Sequence, residues 1–470
     1  MTTTQLRPRV ISNVRTTVSF VSPAGDKTAA MIGPAQWGPM DTATTLTNIG
    51  DFIGYFGPDN LAGLAGFRGA DLFFKNGSSL TFVRIEDDAA VESDVTLLKE
   101  GGDLIDVTAK YKGTYGDNIK LTVTANSVTA ANRDLVITDG LTSEVFNSAG
   151  QGYATTTLLM AAVNVSSNFV TMALADGGSG SDVPDAVEDY LENGDDGVST
   201  LAIADYSAAL ADVLYSEDFQ YIVIPGITTA ADLVAFAAAL DLRGLNENKY
   251  ASLIAGVTAD ESITEVLAKT YPVTKNTRMV YPGVEYNETY GNTDVNLDGS
   301  YLACAVAGTL CSLSYAESGT HKTVVVQDLV VDSATNKKYL NKLEQERALQ
   351  ANLLPISLIG NSIQIVKDIT TVGDSSSIYF SGTIVDIVDY ATSTLETYLN
   401  TIIGLPNTSV NRSIWGSQCE TILAQMVKDE ILTSYDAVIV KEGTSSNMID
   451  VEIGISPTYS VDFIYLTIAI

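Results

Sequence analysis

The chain is 470 residues long, and 46% of it is hydrophobic and 18% is charged. A globular domain takes about 100–200 residues, so this length predicts roughly three domains. Asp and Glu number 57 against 26 Lys and Arg, which gives a formal net charge of −31. A field of that sign repels polyanions, so the composition argues against direct contact with nucleic acid. We interpret the acidity as an aid to solubility.

The ends and the cysteines bear on where the protein is made. The opening residues, MTTTQLR, lack the charged and then apolar pattern of a signal peptide. The most apolar stretch, residues 301–315, is interrupted by Gly308, Thr309 and Ser312, and it is too short for a membrane span, which needs about 18 apolar residues. Three widely spaced cysteines do not form a disulfide framework. These features predict synthesis in the cytoplasm and no membrane partner.

The first 200 residues divide by composition into three parts. Residues 1–26 are rich in Thr and predict an extended N-terminal arm. Residues 27–90 predict the N-terminal part of a core, with short strands near 29–33 and 80–85. Residues 91–200 alternate apolar and polar positions between turn residues, which predicts a small β-rich domain.

Residues 201–355 have an α/β pattern. Apolar strands are predicted at 221–224, 251–256 and 277–281, and their recurrence about every 30 residues is typical of parallel βαβ units. Capping signals at Thr229 and Thr258 predict the starts of two helices, and an apolar helix over 300–315 covers the sheet.

The last third is predicted to form a C-terminal core domain, residues 356–446, followed by a β arm, residues 447–470. Gly360 and Asn361 between two apolar runs predict a hairpin. Helices are predicted over 383–403 and 412–432.

The sequence has few residues of the types that serve as catalytic groups or metal ligands. The single His321 lies in a polar stretch, so a Cys311–His321 nucleophile pair or a metal site with Cys304 is weighed against plain packing, and packing is favoured. Asp386 and Asp389 have helical spacing, which is interpreted as a solvated helix face. The sequence predicts no catalytic, cofactor-binding or metal-binding residue.

Two stretches that could suggest nucleotide binding lack the residues that such a site needs. The Gly-rich stretch 177–180 lacks the following Lys-Ser/Thr of a phosphate loop, and no G-x-G-x-x-G follows the strand at 221–224. Both indicate ordinary loops.

Cys419 is open to two interpretations. It is either a buried free thiol, which is the favoured interpretation, or half of an intersubunit disulfide.

A series of motifs resembles the contractile phage tail sheath family and follows that family's order over nearly the whole chain. The motifs are IGPAQWGP at 32–39, DFIGYFG at 51–57, AKYKGTYGDNI at 109–119, YPG at 281–283, GS at 299–300, AVAG at 305–308, ITT at 369–371, Asp386 with Tyr390, and IGLPN at 403–407. Two departures stand out: Ser381-Gly382 replaces an Arg before the C-terminal helix, and residues 296–298 replace a Pro-rich stretch.

The resemblance implies a fold and a function. The fold is an α/β core with a subtilisin-like layer that lacks a catalytic triad, an inserted small β-rich outer domain, and extended β-strand arms at both termini. The function is that of a virion-tail sheath subunit, which polymerises around a tail tube and contracts to drive the tube through the target envelope. The implied partners are neighbouring sheath subunits in stacked rings, the tube protein, and the baseplate and tail terminator proteins.

The surface residues of such a subunit can be predicted in part. The segment 451–470 is apolar on both strand faces and the N-terminal arm is β-compatible, so both are expected to be strands donated to neighbouring subunits. The arm residues are Val10, Ile11, Val14, Val461, Phe463, Ile464, Leu466 and Ile468. Arg412 and Lys428 are the expected contacts to the tube, because bases are rare in this acidic chain.

Other functions stay open at this point. The runner-up outside the structural class is a degenerate hydrolase-like enzyme, and a surface adhesin or S-layer-like protein is a different structural alternative. The motifs do not separate a phage from a bacteriocin or another contractile injection system.

Overall fold

The computed structural model describes residues 27–58, 64–259, 261–288, 293–330 and 337–461. The N-terminal arm with Val10, Ile11 and Val14, and the C-terminal positions Phe463, Ile464, Leu466 and Ile468, lie outside the described residues.

The first part of the core is a strand–helix–strand layer. Its first strand, AAMIG, is buried at every position, as its apolar sequence requires. The first helix begins after Asn48, whose side chain accepts a hydrogen bond from the backbone N–H of Asp51. The elements are β1 (Ala29–Gly33), β2 (Thr44–Leu46), α1 (Ile49–Phe56), α2 (Ala65–Phe74) and β3 (Leu80–Arg84).

Residues 94–190 fold into a compartment that we call the β unit. Its alternating strands form a three-stranded sheet, β4-β5-β9, and a four-stranded sheet, β10-β6-β7-β8, which share one apolar cluster. The elements are β4 (Asp94–Lys99), β5 (Gly102–Ala109), β6 (Lys120–Ala125), β7 (Arg133–Thr138), β8 (Ser143–Phe146), α3 (Thr156–Ser166), β9 (Val170–Leu174) and β10 (Val187–Tyr190).

The middle of the chain alternates strands and helices. A helix was expected to open at Thr258, but it begins at Ile263, because Ser262 and Glu265 form the capping box there. The elements are α4 (Ile203–Ala208), β11 (Tyr221–Val223), α5 (Ala230–Glu247), β12 (Ser252–Gly256), α6 (Ile263–Leu267), β13 (Thr277–Tyr281), β14 (Val284–Asn287), β15 (Asp294–Leu297), α7 (Gly299–Cys311), β16 (Asp328–Leu329), α8 (Lys342–Gln350), β17 (Leu354–Ile359) and β18 (Ser362–Ile365).

The C-terminal part holds two long helices and two small strand pairs. β19 pairs with β22, and β20 pairs with β21. Part of the segment expected to be donated to a neighbour, including Val451, is therefore paired within its own chain. The elements are α9 (Gly382–Thr401), α10 (Ser409–Lys428), β19 (Leu432–Tyr435), β20 (Ile439–Glu442), β21 (Ile449–Glu452) and β22 (Ile455–Pro457).

Eight of the described strands form the central sheet, in the order β18-β17-β13-β12-β11-β1-β3-β2. The six strands from β17 to β3 are parallel to their neighbours, and antiparallel β18 and β2 close the two edges. The predicted parallel strands are confirmed. β1 and β3 from the start of the chain join them, and β17 spans the predicted domain limit at residue 355.

Helices cover both faces of the sheet, because buried strands of this kind need apolar contacts on each side. One cluster contains α7 together with alternate strand residues such as Met31 and Val223. The other cluster contains the inner face of α5 together with Ala30 and Ile222. Successive strand residues thus point to opposite layers.

A buried arginine joins the β unit to this core. Arg84 is fully buried and donates hydrogen bonds to the carbonyls of Gly38, at 2.8 Å, and Lys112, at 2.9 Å. The ring of Trp37 packs edge-on against Tyr111 and Tyr115 beside it. Two of the resembling motifs, at 32–39 and 109–119, therefore meet at this junction.

Candidate functional site: a buried ionic network and the C-terminal surface

A buried ionic network is centred on Arg278, the second residue of β13. Its guanidinium is fully buried, and it donates from Nε to Asp368 Oδ1 and from NH2 to Asp386 Oδ1, both at 2.9 Å. Burial works to lower the pKa of Arg278, but the charges of Asp368 and Asp386 outweigh it and the pKa is raised. The network therefore fixes α9, which carries Asp386, against the sheet.

The second carboxylate oxygen of Asp386, Oδ2, contacts two further residues. Tyr221 in β11 donates its hydroxyl to Asp386 Oδ2 at 2.6 Å, and Lys27 Nζ lies 3.6 Å from the same oxygen. Burial, together with the negative charge of Asp386, raises the pKa of Tyr221 well above its usual value, so Tyr221 is a neutral donor. Segments that are far apart in the sequence are thus held at one carboxylate.

Asp389, one helical turn further along α9, forms a second ion pair. Lys275 Nζ donates to Asp389 Oδ1 at 2.9 Å. Burial works to lower the pKa of Lys275, but Asp389 outweighs it and the pKa is raised; burial raises the pKa of Asp389 despite Lys275. The sequence interpretation of Asp386 and Asp389 as a solvated face is wrong, because both are buried, Asp386 against Arg278 and Asp389 against Lys275.

The signal that was missed is the charged residue inside a buried strand. Arg278 stands in the strand TRMVY, which is buried at every position. A guanidinium there requires a carboxylate partner, since an unpaired buried charge is very costly. The need for a carboxylate partner could have directed attention to the acidic residues among the apolar positions of a predicted helix.

A cavity of about 310 Å³ opens beside the network, between α9 and the starts of β11 and β12. Charges of both signs line it, among them Asp218, Arg243 and Lys249. Arg243 donates to the carbonyls of Leu214 and Lys249 and is thus engaged in holding the surrounding loops. The arrangement is that of a structural junction between layers.

Glu396 on α9 is a buried acid whose pKa lies well above its ordinary value. Tyr250 donates to Glu396 Oε1 at 3.1 Å, while Oε2 is buried and finds no hydrogen-bond partner among the residues that the structure describes. Burial raises the pKa of Glu396 to about 8; the Tyr250 hydrogen bond opposes this shift, and the charge of Asp389 adds to it.

We expect Glu396→Gln to stabilise the fold at alkaline pH. Since the folded state binds this proton up to about pH 8 and the unfolded state releases it near 4.5, the native stability falls as pH rises through that window. Gln cannot ionise, so the variant should gain about 1–3 kcal/mol over the native chain at pH 9 and differ little at pH 4. Urea unfolding at both pH values measures this. Exposed Glu346→Gln is the control, and identical pH profiles for Glu396→Gln and the native chain would contradict the expectation.

The structure gives no support for a reactive role of His321, Cys304 or Cys311. His321 lies on an exposed turn, where its backbone N–H donates to the carbonyl of Ile365. Burial raises the pKa values of Cys304 and Cys311, which disfavours the reactive thiolate. Cys419 is buried and forms no disulfide within the described part of the chain. Among the residues that the structure describes, no cluster of His, Cys, Asp or Glu could hold a metal, and no helix is long and apolar enough to cross a membrane.

The two predicted tube-contact residues differ in their surroundings. Arg412 is half-buried, donates to Asn407 Oδ1 at 2.6 Å, and lies 3.5 Å from Glu442, so it is engaged within the chain. Lys428 is exposed in the last turn of α10. The outer stripe of this helix carries no carboxylate over its full length; it consists of Val410, Ile414, Ser417, Thr421, Ala424 and Lys428.

The C-terminal strands bear on the predicted arms. Within the described part of the chain, β20 and β21 pair only with each other, so each leaves one edge of its backbone unpaired. The connection at 443–448 is a closed hairpin turn in which Gly443 N–H donates to the carbonyl of Met448 at 3.0 Å. Val461 is 79% exposed.

Comparison with known proteins points to one group. No family model matches the chain. The tail sheath protein of Vibrio phage KVP40 is 29% identical over 120 residues, which span 23% of this chain and 18% of that protein. The chain thus matches less than a fifth of the length of this curated relative.

Solved structures match over almost the whole chain. The sheath tail protein of Listeria innocua has a TM-score of 0.70 at 18% identity and covers 94% of both chains. The sheath tail protein of Desulfitobacterium hafniense has a TM-score of 0.67 at 19% identity and covers 97% of this chain and 98% of its own. The helical sheath of the anti-feeding prophage in its contracted state has a TM-score of 0.53 at 12% identity and covers 99% of both chains. The resemblance found in the motifs is confirmed for the fold.

Proposed function

We propose that this chain, which has the fold of sheath tail proteins, is the structural subunit of a contractile tail sheath. It polymerises around a tail tube and contracts to drive the tube through the target envelope, without a catalytic site of its own. The observation that carries the proposal is the fold match, which extends over at least 94% of both chains for the Listeria and Desulfitobacterium sheath tail proteins. The ionic network supports it, because that network holds layers together and is not arranged around a substrate.

The proposed partners are further copies of the chain in stacked rings, a tube protein, and baseplate and tail terminator proteins. One of the matching structures is the baseplate of the anti-feeding prophage, at a TM-score of 0.54. The proposed location is the tail of a virion or of a related injection machine, after synthesis in the host cytoplasm.

The finer architecture is also a proposal. The central parallel sheet would be the subtilisin-like layer, and the β unit an inserted domain on the outside of the assembly. Its entry and exit are adjacent, since Val91 and Asp195 exchange backbone hydrogen bonds at 3.1 Å. A unit whose ends meet in this way can be inserted into a core without disturbing it.

Negative-stain microscopy of the purified chain tests the proposal. Hollow striated cylinders are expected, and a chain that remains monomeric at high concentration would overturn it. Removing residues 1–15, or residues 462–470, tests the donated arms. Each truncation keeps the described fold, including β22, and is expected to give folded subunits that do not form cylinders. Cylinders of normal length from both truncations would rule the arms out.

The outer stripe of α10 is the proposed surface toward the tube, with Lys428 as its charged contact and Arg412 as a positioning residue held by Glu442. The face lacks carboxylates in a chain of charge −31, so an acidic partner is not repelled there.

We expect Lys428→Glu to weaken attachment to purified tube protein about tenfold at low salt, because it places a like charge against an acidic surface. Co-sedimentation of sheath with tubes measures this. Lys110→Glu, the same charge reversal at an exposed position of the β unit, is the control and should bind as the native chain does. Equal binding by Lys428→Glu would remove this helix from the tube contact.

A further inference from the structure

α5 has an outer face that no described element covers. Its inner face, with Leu233, Phe236 and Leu240, is buried against the sheet. The outer face is apolar from end to end, although a helix at a protein surface ordinarily has a polar outer face. Its residues are Ala231, Val234, Ala235, Ala238, Leu242 and Leu245.

The exposure of this face is large for apolar side chains. Val234 is 46% exposed, Leu242 56% and Leu245 71%. Ala231, Ala235, Ala238, Leu242 and Leu245 are spaced by four and three residues, so they form one stripe about 21 Å long at 1.5 Å per residue, with Val234 at its side. Contiguous apolar surface of this kind marks an interaction site on a soluble protein.

The charges on α5 border the stripe without interrupting it. Arg243 is buried and donates to backbone carbonyls on the inner side. Asp232, Asp241 and Glu247 are half-buried, and Asp241, one helical turn from Ala238 and Leu245, accepts a hydrogen bond from Asn276 at 2.9 Å. The stripe itself carries no charge from Ala231 to Leu245. The side chains of its three alanines are small, so the backbone of a partner element can approach the helix closely.

The acidity of the chain bears on which surfaces can join its copies. Copies that each carry −31 repel one another, so side-chain contacts between them are favoured at surfaces that carry no carboxylate. An apolar, uncharged stripe meets that condition and contributes hydrophobic burial. We propose that the outer face of α5 packs against a second copy of this chain. The inference rests on the proposed function, in which many copies are in contact.

The geometry of stacking sets the kind of contact. A face that packs on its own equivalent through a two-fold axis closes at a dimer, whereas a continuing assembly requires contact between two different surfaces. The α5 face therefore engages a different surface of the next copy.

The test is the double variant Leu242→Glu with Leu245→Glu. Both side chains are exposed in the single chain, so the variant should fold normally, as circular dichroism and urea unfolding would show. Charges placed in an apolar contact are costly to bury, so the critical concentration for polymerisation should rise at least about tenfold. The control is Leu158→Glu with Val165→Glu on α3, where the side chains are 55% and 88% exposed. The control should polymerise as the native chain does.

The outcomes separate this inference from the proposed function. Polymerisation of the α5 variant at the native concentration overturns the inference, as does equal loss in both variants, because added charge alone would then explain it. A variant that polymerises normally but fails to bind tubes would assign the face to the tube and overturn the inference too. If the native chain forms no polymer, the proposed function fails. Sedimentation velocity then decides: concentration-dependent oligomers of the native chain that the α5 variant lacks support the inference, and equal sedimentation overturns it.

Discussion

Gly256→Ala is expected to prevent the chain from reaching its native packing. Gly256 ends β12, and a Cβ at this position would lie 1.8 Å from the carbonyl carbon and 2.1 Å from the carbonyl oxygen of Gly299, at the first residue of α7. These are backbone atoms that cannot rotate away. The Gly299 N–H also donates to the carbonyl of Val257 at 2.7 Å, so strand and helix are joined at this point.

The loss of stability is large because α7 is packed on all sides and cannot shift to relieve the clash. It is buried along nearly its full length, from Gly299 to Leu310, between the sheet and α2. Shifting it would open voids throughout the larger apolar cluster. We expect a loss of more than about 4 kcal/mol, beyond the usual range for single substitutions, and little soluble protein.

The soluble yield and the urea unfolding midpoint measure this effect. The matched control is Gly54→Ala in α1, where the new methyl group meets nothing within 4 Å. In a helix interior that change should stabilise the chain by about 0.5–1 kcal/mol. Native-like solubility and stability for Gly256→Ala would show that the strand and helix are not in this contact.

Arg278→Ala is expected to cost about 3–5 kcal/mol of unfolding free energy, because it leaves Asp368 buried without its cation and leaves Asp386 with Lys27 alone, 3.6 Å away. The loss comes from the under-compensated buried carboxylates more than from the missing hydrogen bonds. A variant that also carries Asp368→Asn and Asp386→Asn should therefore recover part of the stability, since neutral amides are less costly to bury.

Urea unfolding at neutral pH compares these variants. Lys441→Ala is the control, because it breaks an ion pair with Glu452 whose side chains are 49% and 59% exposed, and such a pair contributes less than about 1 kcal/mol. A loss for Arg278→Ala no larger than for Lys441→Ala would show that the network does not hold α9. Failure of the neutralised variant to recover would assign the loss to packing instead.

Sequence patterns predicted those elements whose determinants are local. The hairpin of β17 and β18 follows from a turn at Gly360, which adopts a left-handed φ of 64°. α7 follows from an apolar run preceded by Asp298, whose side chain accepts from the backbone N–H of Ser300. The parallel order of β11, β12 and β13 follows from their spacing.

The buried network could not be predicted in the same way, because its partners are distant. Asp386 binds Arg278 across 108 residues and Tyr221 across 165. The spacing of Asp386 and Asp389 on a helix is the same for a solvated face and for a buried one. The pairing of β21 with β20 was missed for a related reason: alternation predicts a strand but not which strand it joins.

The same separation dictates the order in which the core is completed during synthesis. Lys27 is near the start of the chain and its carboxylate partner Asp386 follows 359 residues later (386 − 27 = 359). At about 5–20 residues per second, a ribosome needs roughly 20–70 s to cover that distance. Until α9 has been made, Lys27 lacks Asp386, Lys275 lacks Asp389, and Arg278 has only Asp368 of its two carboxylate partners. Burying these cations without their partners is costly, so this part of the core is not yet complete. A partly translated chain therefore lacks the finished core, and the native fold is reached only after most of the polypeptide has left the ribosome.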